Sequence, residues 1–461
     1  MPIAKEIIAQ TLDSEYGRHA YEVAEKLQDA GYDTWWVGGG VRDMLKGHIP
    51  KDIDIATSAK PEEIAKVFGR SSGGEHTFGS MRVSLGKDTF EVTTFREDDE
   101  ASDGRHPESI IYGTREQDGK RRDFTVNALY YNPVSQEFYD PFGGEGDLEE
   151  NLIKFIGEPS LRIKHDLLRM FRAVRFRALL NGQYEPETYR AIQELAFMVN
   201  ENLSAERVMQ ELEKMLAGPH PDRAFEDLWE LGLLKEIWPE LHACKGVAQP
   251  ADFHHEGDVW EHTLLVIKSF RPEHGPDVRL AALLHDIGKT VTFSRKERIR
   301  FDEHATKSAE IVEEILTRMR QPKKRVEKIA WLVKHHMMMG TFAKEPNNPN
   351  AEVPVLTEER KAHWFFHPWF AELLQVFWLD AAGTEPSSFD FYEAIVKEYD
   401  AFLDSHPRPE KPLLTGNDII EILGIGPGAR VGEILQALHE AQVRKEVTSK
   451  AEAKTFVEKF K

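Results

Sequence analysis

VGGGVRDMLKGHIPKDIDIAT, residues 37–57, sets a triple-glycine turn a short distance ahead of two carboxylates. Val37 closes an apolar strand, and Gly38, Gly39 and Gly40 let backbone amides approach an anion such as a triphosphate before a helix expected to begin at Val41. Asp52 and Asp54 then read as residues of one strand. Its two-residue period sends both carboxylates to one face and Ile53 and Ile55 into the core. Two neighbouring carboxylates are costly without a cation. A pair of Mg²⁺ ions about 3.5–4 Å apart is the usual answer in nucleotidyl transfer, one activating a 3′-hydroxyl and the other stabilising pyrophosphate. Glu91, near the start of the later run TFEVTTF, is a third candidate carboxylate.

Around this stretch, TWWV, DIDIA and the pair MRVSLG and TFEVTTF read as strands, the last two forming a hairpin across Gly86, Lys87 and Asp88. From Glu158 to about Pro239 the apolar spacing is helical, HACKGVAQPADFHHEGD reads as a linker, and a further helical block runs from His262 to about Leu403. PEKPLLTGND marks entry to a short C-terminal unit. The expected class is therefore α+β, a mixed sheet with helices followed by mostly helical parts. The divisions fall at residues 1–155, 156–245, 246–405 and 406–461.

Hydrophobic residues at 41% and charged residues at 30% describe an ordinary globular composition. The N-terminus lacks an apolar leader and no run of 18 apolar residues occurs, so a cytoplasmic protein without membrane association is expected. The lone Cys244 excludes an internal disulfide framework and a thiolate metal cluster, leaving His, Asp and Glu as metal ligands. A net charge of −20 opposes general attraction to nucleic acid. Within that acidic chain, LRIKHDLLRMFRAVRFR carries Arg162, Lys164, Arg169, Arg172, Arg175 and Arg177 against Asp166 alone. Such a stripe is either a solvated helix face or a phosphate contact.

The form GGxVRD followed by KDxDxxT resembles the head-domain signature of the class II tRNA nucleotidyltransferase and bacterial poly(A) polymerase family. The resemblance implies a nucleotidyltransferase palm in which Asp52 and Asp54 bind catalytic Mg²⁺ and Glu91 is the additional catalytic carboxylate. Gly39, Gly40 and Arg42 belong to its nucleotide-binding turn. RRDFTVNAL matches the family's ribose-recognising motif through Arg121, Arg122, Asp123 and Asn127, with Asp123 also readable as a helix N-cap. DLLRMFRAVRF resembles the family's base-reading helix, with Arg172 and Arg175 further nucleotide-binding candidates. Asp166 and Arg169, three residues apart, would be neighbours on one helical face, offering an acceptor and a donor to a base, or forming a plain ion pair. The family usually has Glu immediately before that Asp, where this chain has His165. The resemblance covers residues 25–240 and implies tRNA, CTP and ATP as partners.

A second constellation comprises His262, His285, Asp286 and Asp380, with His304, His335 and His336 as further candidates. Imidazole and carboxylate ligands suit a divalent metal such as Mg²⁺, Mn²⁺ or Ni²⁺ and water activation for phosphoester hydrolysis. LLHDIGK within this spread resembles the HD phosphohydrolase superfamily. In the C-terminal unit Gly426, Pro427 and Gly428 precede a helix, which resembles the family's tail segment or is a glycine-capped turn between helices.

Full CCA addition is the favoured expectation. A-only or CC-only addition, poly(A) synthesis and a phosphohydrolase with a nucleotide-binding head follow in that order. The segment from Arg96 to Lys120 is expected to be a loop beside the active site, and SDGRHPESI keeps an arginine and a proline found in the family's specificity loop.

Overall fold

The computed structural model describes residues 3–69, 79–97, 111–199, 203–250, 255–295, 298–338, 358–406, 413–443 and 446–461. SDGRHPESI, residues 102–110, lies outside the described residues. The chain divides into two compact units, Met1–Pro239 and Glu240–Lys461. The expected divisions at 155 and 405 lie inside these units.

The first unit is built on a mixed six-stranded sheet. Its strands are β1 (Thr34–Val37), β2 (Asp54–Thr57), β3 (Ser80–Leu85), β4 (Asp88–Thr94), β7 (Tyr130–Asn132) and β8 (Glu137–Tyr139), in the order β3-β4-β2-β1-β7-β8. β5 (Arg96–Glu97) and β6 (Ile111–Tyr112) form a separate two-stranded ribbon. β1 runs antiparallel to both neighbours, whereas β2 and β4 are parallel with Ile55 opposite Val92. β3 and β4 form the expected hairpin, turning at Gly86 with φ +58°.

The helices are α1 (Lys5–Asp13), α2 (Glu15–Asp29), α3 (Gly39–Leu45), α4 (Pro61–Phe68), α5 (Arg115–Arg121), α6 (Gly144–Glu149), α7 (Pro159–His165) and α8 (Leu168–Leu180). Pro186–Leu195, Ala205–Ala217 and Pro221–Glu230 follow, so among its described residues the segment expected to be helical from Glu158 to Pro239 is largely so, with a two-residue strand at Gln183–Tyr184. Trp36, Ile53, Ile55, Val83, Phe90 and Val92 are almost fully buried, and in β3 and β4, where Val83, Phe90 and Val92 alternate with more exposed residues, a one-residue slip would turn them out of the core.

The second unit includes the helices Val259–Lys268, Pro276–Leu284, His304–Arg318, Lys323–His335, Phe370–Gly383 and Asp390–Ser405. A hairpin of Phe293–Arg295 and Ile299–Phe301 interrupts what the sequence pattern suggested was an all-helical block. Three terminal helices, Gly416–Leu423, Ala429–Val443 and Lys450–Glu458, share a core containing Ile419, Ile434, Leu438 and Val457. The first ends at Gly424 in the left-handed conformation (φ +64°), and Gly428 accepts a bond from Val431 N inside the next. Those contacts match a glycine-capped turn between helices. Among the described residues no helix is long and apolar enough to cross a membrane.

Candidate active site and metal centre

The register of β1 and β2 pairs Val37 with Asp54, so the chain leaves β1 directly beside that carboxylate. Gly38 turns there with φ +70°, and a Cβ at this position would lie 3.7 Å from Asp54 Oδ2 and 3.5 Å from Arg122 Nη1. Left-handed backbone beside charged groups explains the glycine. α3 starts at Gly39, two residues earlier than the sequence pattern suggested, because glycines 39 and 40 continue the helical geometry. At Gly40 a Cβ would meet Asp52 O at 2.7 Å, so glycine also lets the helix press against the carboxylate segment.

Asp54 opens β2, but Asp52 precedes the strand and is held by a side chain that sequence reading missed. Tyr16 Oη donates to Asp52 Oδ1 (3.0 Å) and accepts from Ile53 N (3.1 Å). Alternation survives all the same, since Asp52 and Asp54 are exposed while Ile53 and Ile55 are buried. Glu91 occupies the middle of β4 rather than its start, and the parallel register of Ile55 with Val92 sets Asp54 next to it. Crowding by protein atoms, then the charge of Asp52, push the Asp54 carboxyl up to about 6; Arg122 opposes the rise and Glu91 adds to it. A like-charge group under that strain has the donor chemistry of a divalent-cation site.

Next to these acids lies a 490 Å³ cleft whose lining includes seven arginines (42, 121, 122, 169, 172, 175 and 207) against Asp54, Asp123 and Asp166. Positive charge is therefore concentrated along this cleft, despite the acidic chain as a whole. Asp123 is not the cap of a helix start. Arg121 ends α5 and Arg122 is its C-cap, after which Thr125–Asn127 form one turn of 3₁₀ helix. Asp123 Oδ1 accepts from Phe124 N (2.9 Å) and Asn127 Nδ2 (3.0 Å), and Oδ2 accepts from Arg172 Nε (2.6 Å). Asn127 Oδ1 accepts from buried Arg42 Nη1 (2.8 Å), which links the glycine helix to α8 through one polar chain.

Asp166 and Arg169 both line the cleft but do not share a helical face. α7 stops at His165, Asp166 is extended (φ −151°, ψ 104°), and α8 begins at Leu168. Asp166 Oδ1 accepts from Leu168 N (3.1 Å) and Oδ2 from Arg207 Nη2 (2.8 Å). Arg169 Nη1 donates to Arg162 O (2.9 Å) and Nη2 to Arg121 O (3.4 Å). The basic stripe is accordingly an internal network as much as a surface: Arg172 pairs with Asp123, Arg175 with Glu211 and Arg177 with Asp227. Its residue spacing was legible in sequence, its distant counter-ions were not.

In the second unit four imidazoles converge. Nδ1 of His285, His304 and His336 meets the carbonyl oxygens of Ala282, Phe301 and Val333 respectively, at 2.8, 2.9 and 2.6 Å. Nδ1 of His262 meets Glu256 Oε1 and Gly383 O, both at 3.1 Å. Each partner is an acceptor, so each Nδ1 carries a proton and Nε2 is the ring atom each histidine turns inward. His262 and His285 Nε2 are 3.3 Å apart, as are His304 and His336 Nε2. Asp380 Oδ1 lies 3.1 Å from His262 Nε2, and Asp286 Oδ2 3.2 Å from that of His285. Burial lowers the His285 pKa, but Asp286 and Asp380 outweigh it and push the ring up to about 10. The cluster demands positive charge at its centre, and a divalent metal fits that demand.

Among the described residues, ligand atoms within 4.8 Å of one another occur as His262, His285 and Asp380, and as His285, Asp286 and His336; Asp52, Asp54 and Glu91 are not gathered so tightly. His304 joins the second group's edge, 3.5 Å from Asp286 Oδ1. His335 does not: its Nδ1 meets Trp331 O and its ring packs on Trp331 and Trp364, because adjacent residues at a helix end point in different directions. Glu256, Gln249 and Lys289 were missed. Lys289 Nζ donates to Asp286 Oδ2 (2.7 Å) and to Gln249 Oε1 (2.7 Å). The three-residue spacing from Asp286 to Lys289 was a usable signal; nothing in the sequence pointed to Glu256 or Gln249.

Three family descriptions match successive parts of the chain. Residues 34–154 match the Poly A polymerase head domain, 183–245 the probable RNA and SrmB-binding site of polymerase A, and 259–360 the HD domain. Over 442 residues, 92% of this chain and 94% of the relative, the sequence is 33% identical to an A-adding tRNA nucleotidyltransferase of Deinococcus radiodurans. The chain belongs to the CCA-adding and poly(A) polymerase-type nucleotidyltransferase family. It is also 39% identical over 217 residues to the CCA-adding enzyme of Geobacillus stearothermophilus, an alignment spanning 47% of this chain and 53% of that one. The crystal structure of the Bacillus stearothermophilus CCA-adding enzyme in complex with CTP aligns over 97% of this chain and 98% of its own, with a TM-score of 0.64 and 25% identity. Fold and kinship together make the chain a nucleotidyltransferase carrying an HD domain.

Proposed function

We propose that the chain adds nucleotides from CTP and ATP to the 3′ end of tRNA, completing all or part of a CCA terminus. The observation that carries this reading is the cleft in which Asp54, beside Asp52 and Glu91, adjoins a ring of arginines and the Asp166 and Arg169 side chains. Asp52, Asp54 and Glu91 are the residues that would hold Mg²⁺, which when bound supplies activation of the terminal hydroxyl and neutralises the departing pyrophosphate. The arginine lining binds the triphosphate, and Gly38 to Gly40 keep the floor of the turn free of side chains. Asp123, fixed by Arg172 and Asn127, faces the sugar. Asp166 accepts from the exocyclic amine of the incoming base while Arg169 donates to the adjacent ring nitrogen. Adenine and cytosine share that amine-and-acceptor edge, and guanine and uracil lack it.

A second reading, A-only addition, is favoured by the near full-length likeness to an A-adding enzyme. One assay separates them: tRNAs ending at the discriminator base, at C and at CC are extended with CTP and ATP separately and together. Adenylation of the CC-ended substrate alone establishes A-only addition, and failure to adenylate it indicates CC addition. Long A tails without preference for tRNA would overturn the tRNA reading.

For the second unit we propose hydrolysis of a phosphoester, such as a 2′,3′-cyclic phosphate or 2′-phosphate that would block an RNA 3′ end. His262, His285, Asp286 and Asp380 would hold the metal, joined by His336 and, at the edge, His304. The bound metal supplies an activated water, and Lys289 holds Asp286 in place. Absence of hydrolysis across Mg²⁺, Mn²⁺ and Ni²⁺, with no metal retained by the purified protein, refutes it. The proposed location is the cytoplasm.

A further inference from the structure

We propose that Arg207 is a specificity-determining residue, setting how the cleft chooses between adenine and cytosine. This rests on the reading of Asp166 as acceptor for the base amine. Asp166 lies in the short link between α7 and α8, where its N–H caps α7 on Arg162 O (3.4 Å) and its carbonyl accepts from Arg169 N (3.0 Å), bonds that fix its extended backbone but leave its carboxylate to be held by other groups. Two side-chain bonds therefore set its carboxylate. The bond from Leu168 N is local and moves with the link, whereas the bond from Arg207 Nη2 (2.8 Å) comes from a separate helix, Ala205–Ala217. That helix is itself anchored one turn further on. Glu211, 2% exposed, accepts from Arg175 Nε of α8 (2.6 Å) and from Lys214 Nζ (3.0 Å). Arg207 thus ties the acceptor to a fixed point outside its own link.

Adenine and cytosine present the same donor and acceptor pair, so hydrogen-bond type cannot tell them apart. What differs is reach: a purine carries its amine farther from the sugar than a pyrimidine does. A carboxylate held at one place favours one base; a carboxylate free to swing serves both. Tethering by Arg207 is the element that restricts the swing. The Arg207 and Asp166 side chains are 38% and 22% exposed, so the pair adds little to stability and its loss reads in selectivity rather than in folding.

The test uses the full chain and a tRNA ending in CC, with kcat/KM measured for ATP and CTP separately. Arg207→Gln is expected to shift the ATP to CTP ratio towards one by about tenfold, the scale on which misplacing one contact alters discrimination. Arg207→Lys, which keeps a cation but not the planar fork, recovers part of the ratio, and thermal unfolding stays within about 2 °C of wild type. Asp166→Asn is the control on the parent reading. If it changes base choice while Arg207→Gln leaves the ratio intact, or lowers both nucleotides equally, the role of Arg207 is overturned and the reading of Asp166 stands. If Asp166→Asn leaves base choice unaltered, the parent reading fails and this inference fails with it.

Discussion

Asp54→Asn should make the metal-free protein more stable while abolishing transfer. The carboxyl is pushed from its ordinary 3.8 up to about 6, by crowding first and then by Asp52 and Glu91 against the pull of Arg122. A shift of about two units corresponds to roughly 3 kcal/mol at neutral pH, and the exposure of the side chain to solvent reduces this to about 1 kcal/mol. The sign follows from proton binding. The folded state holds the proton more tightly than the unfolded chain, so ionised Asp54 costs stability above pH 6, and the cost vanishes below about 4, where both states are protonated. The Asn variant removes that cost. In EDTA at pH 8 it should melt about 2–4 °C above wild type, the scale for about 1 kcal/mol in a unit of 239 residues. The difference should fade as the pH falls through 6 towards 4. Added Mg²⁺ should stabilise wild type by mass action and the variant much less. Nucleotide incorporation should fall by about a thousandfold or more, as expected for a lost metal ligand. A variant less stable than wild type at pH 8, equal Mg²⁺ shifts in both proteins, or substantial residual incorporation would each refute the reasoning.

Other substitutions probe the remaining parts. Tyr16→Phe deletes the hydroxyl that holds Asp52 and should lower kcat about three- to tenfold, raise the Mg²⁺ concentration needed for half-maximal rate and leave nucleotide KM near wild type; an unchanged Mg²⁺ profile sinks this role. Glu211→Ala leaves Arg175 without its buried partner and should cost about 2–4 kcal/mol in urea unfolding; a loss under about 1 kcal/mol shows that solvent already screens the pair. Asp227 is pushed up to about 6 by burial, against the Tyr184 hydrogen bond and the Arg177 charge, so Asp227→Asn should gain relative stability above pH 6 and lose that gain towards pH 4, as followed by melting against pH. His285→Ala should eliminate divalent metal retained by the second unit, read by elemental analysis after gel filtration, while nucleotide incorporation persists. Undiminished metal would place the ion elsewhere.

Wherever chemistry is dictated by neighbours in the chain, the sequence alone was sufficient. The glycine turn, the alternation through Ile53 and Ile55, the β3–β4 hairpin and the LLHDIGK run depend on backbone freedom, strand period and helix breaking, all of which are local. Local reasoning failed at Asp166 and Arg169, where helical spacing implied one shared face but the chain breaks between α7 and α8. It failed again at His335, which the helix turns toward Trp331 and Trp364 while His336 enters the candidate metal cluster. Only the tertiary structure could decide the partners. Tyr16 reaches Asp52 across 36 residues, Arg207 reaches Asp166 across 41, and His262 reaches Asp380 across 118. Such pairings arise from how helices and strands pack, and composition leaves them open. The same holds for the basic stripe, whose arginines acquire their meaning from Asp123, Glu211 and Asp227, counter-charges brought to them by folding rather than by sequence proximity.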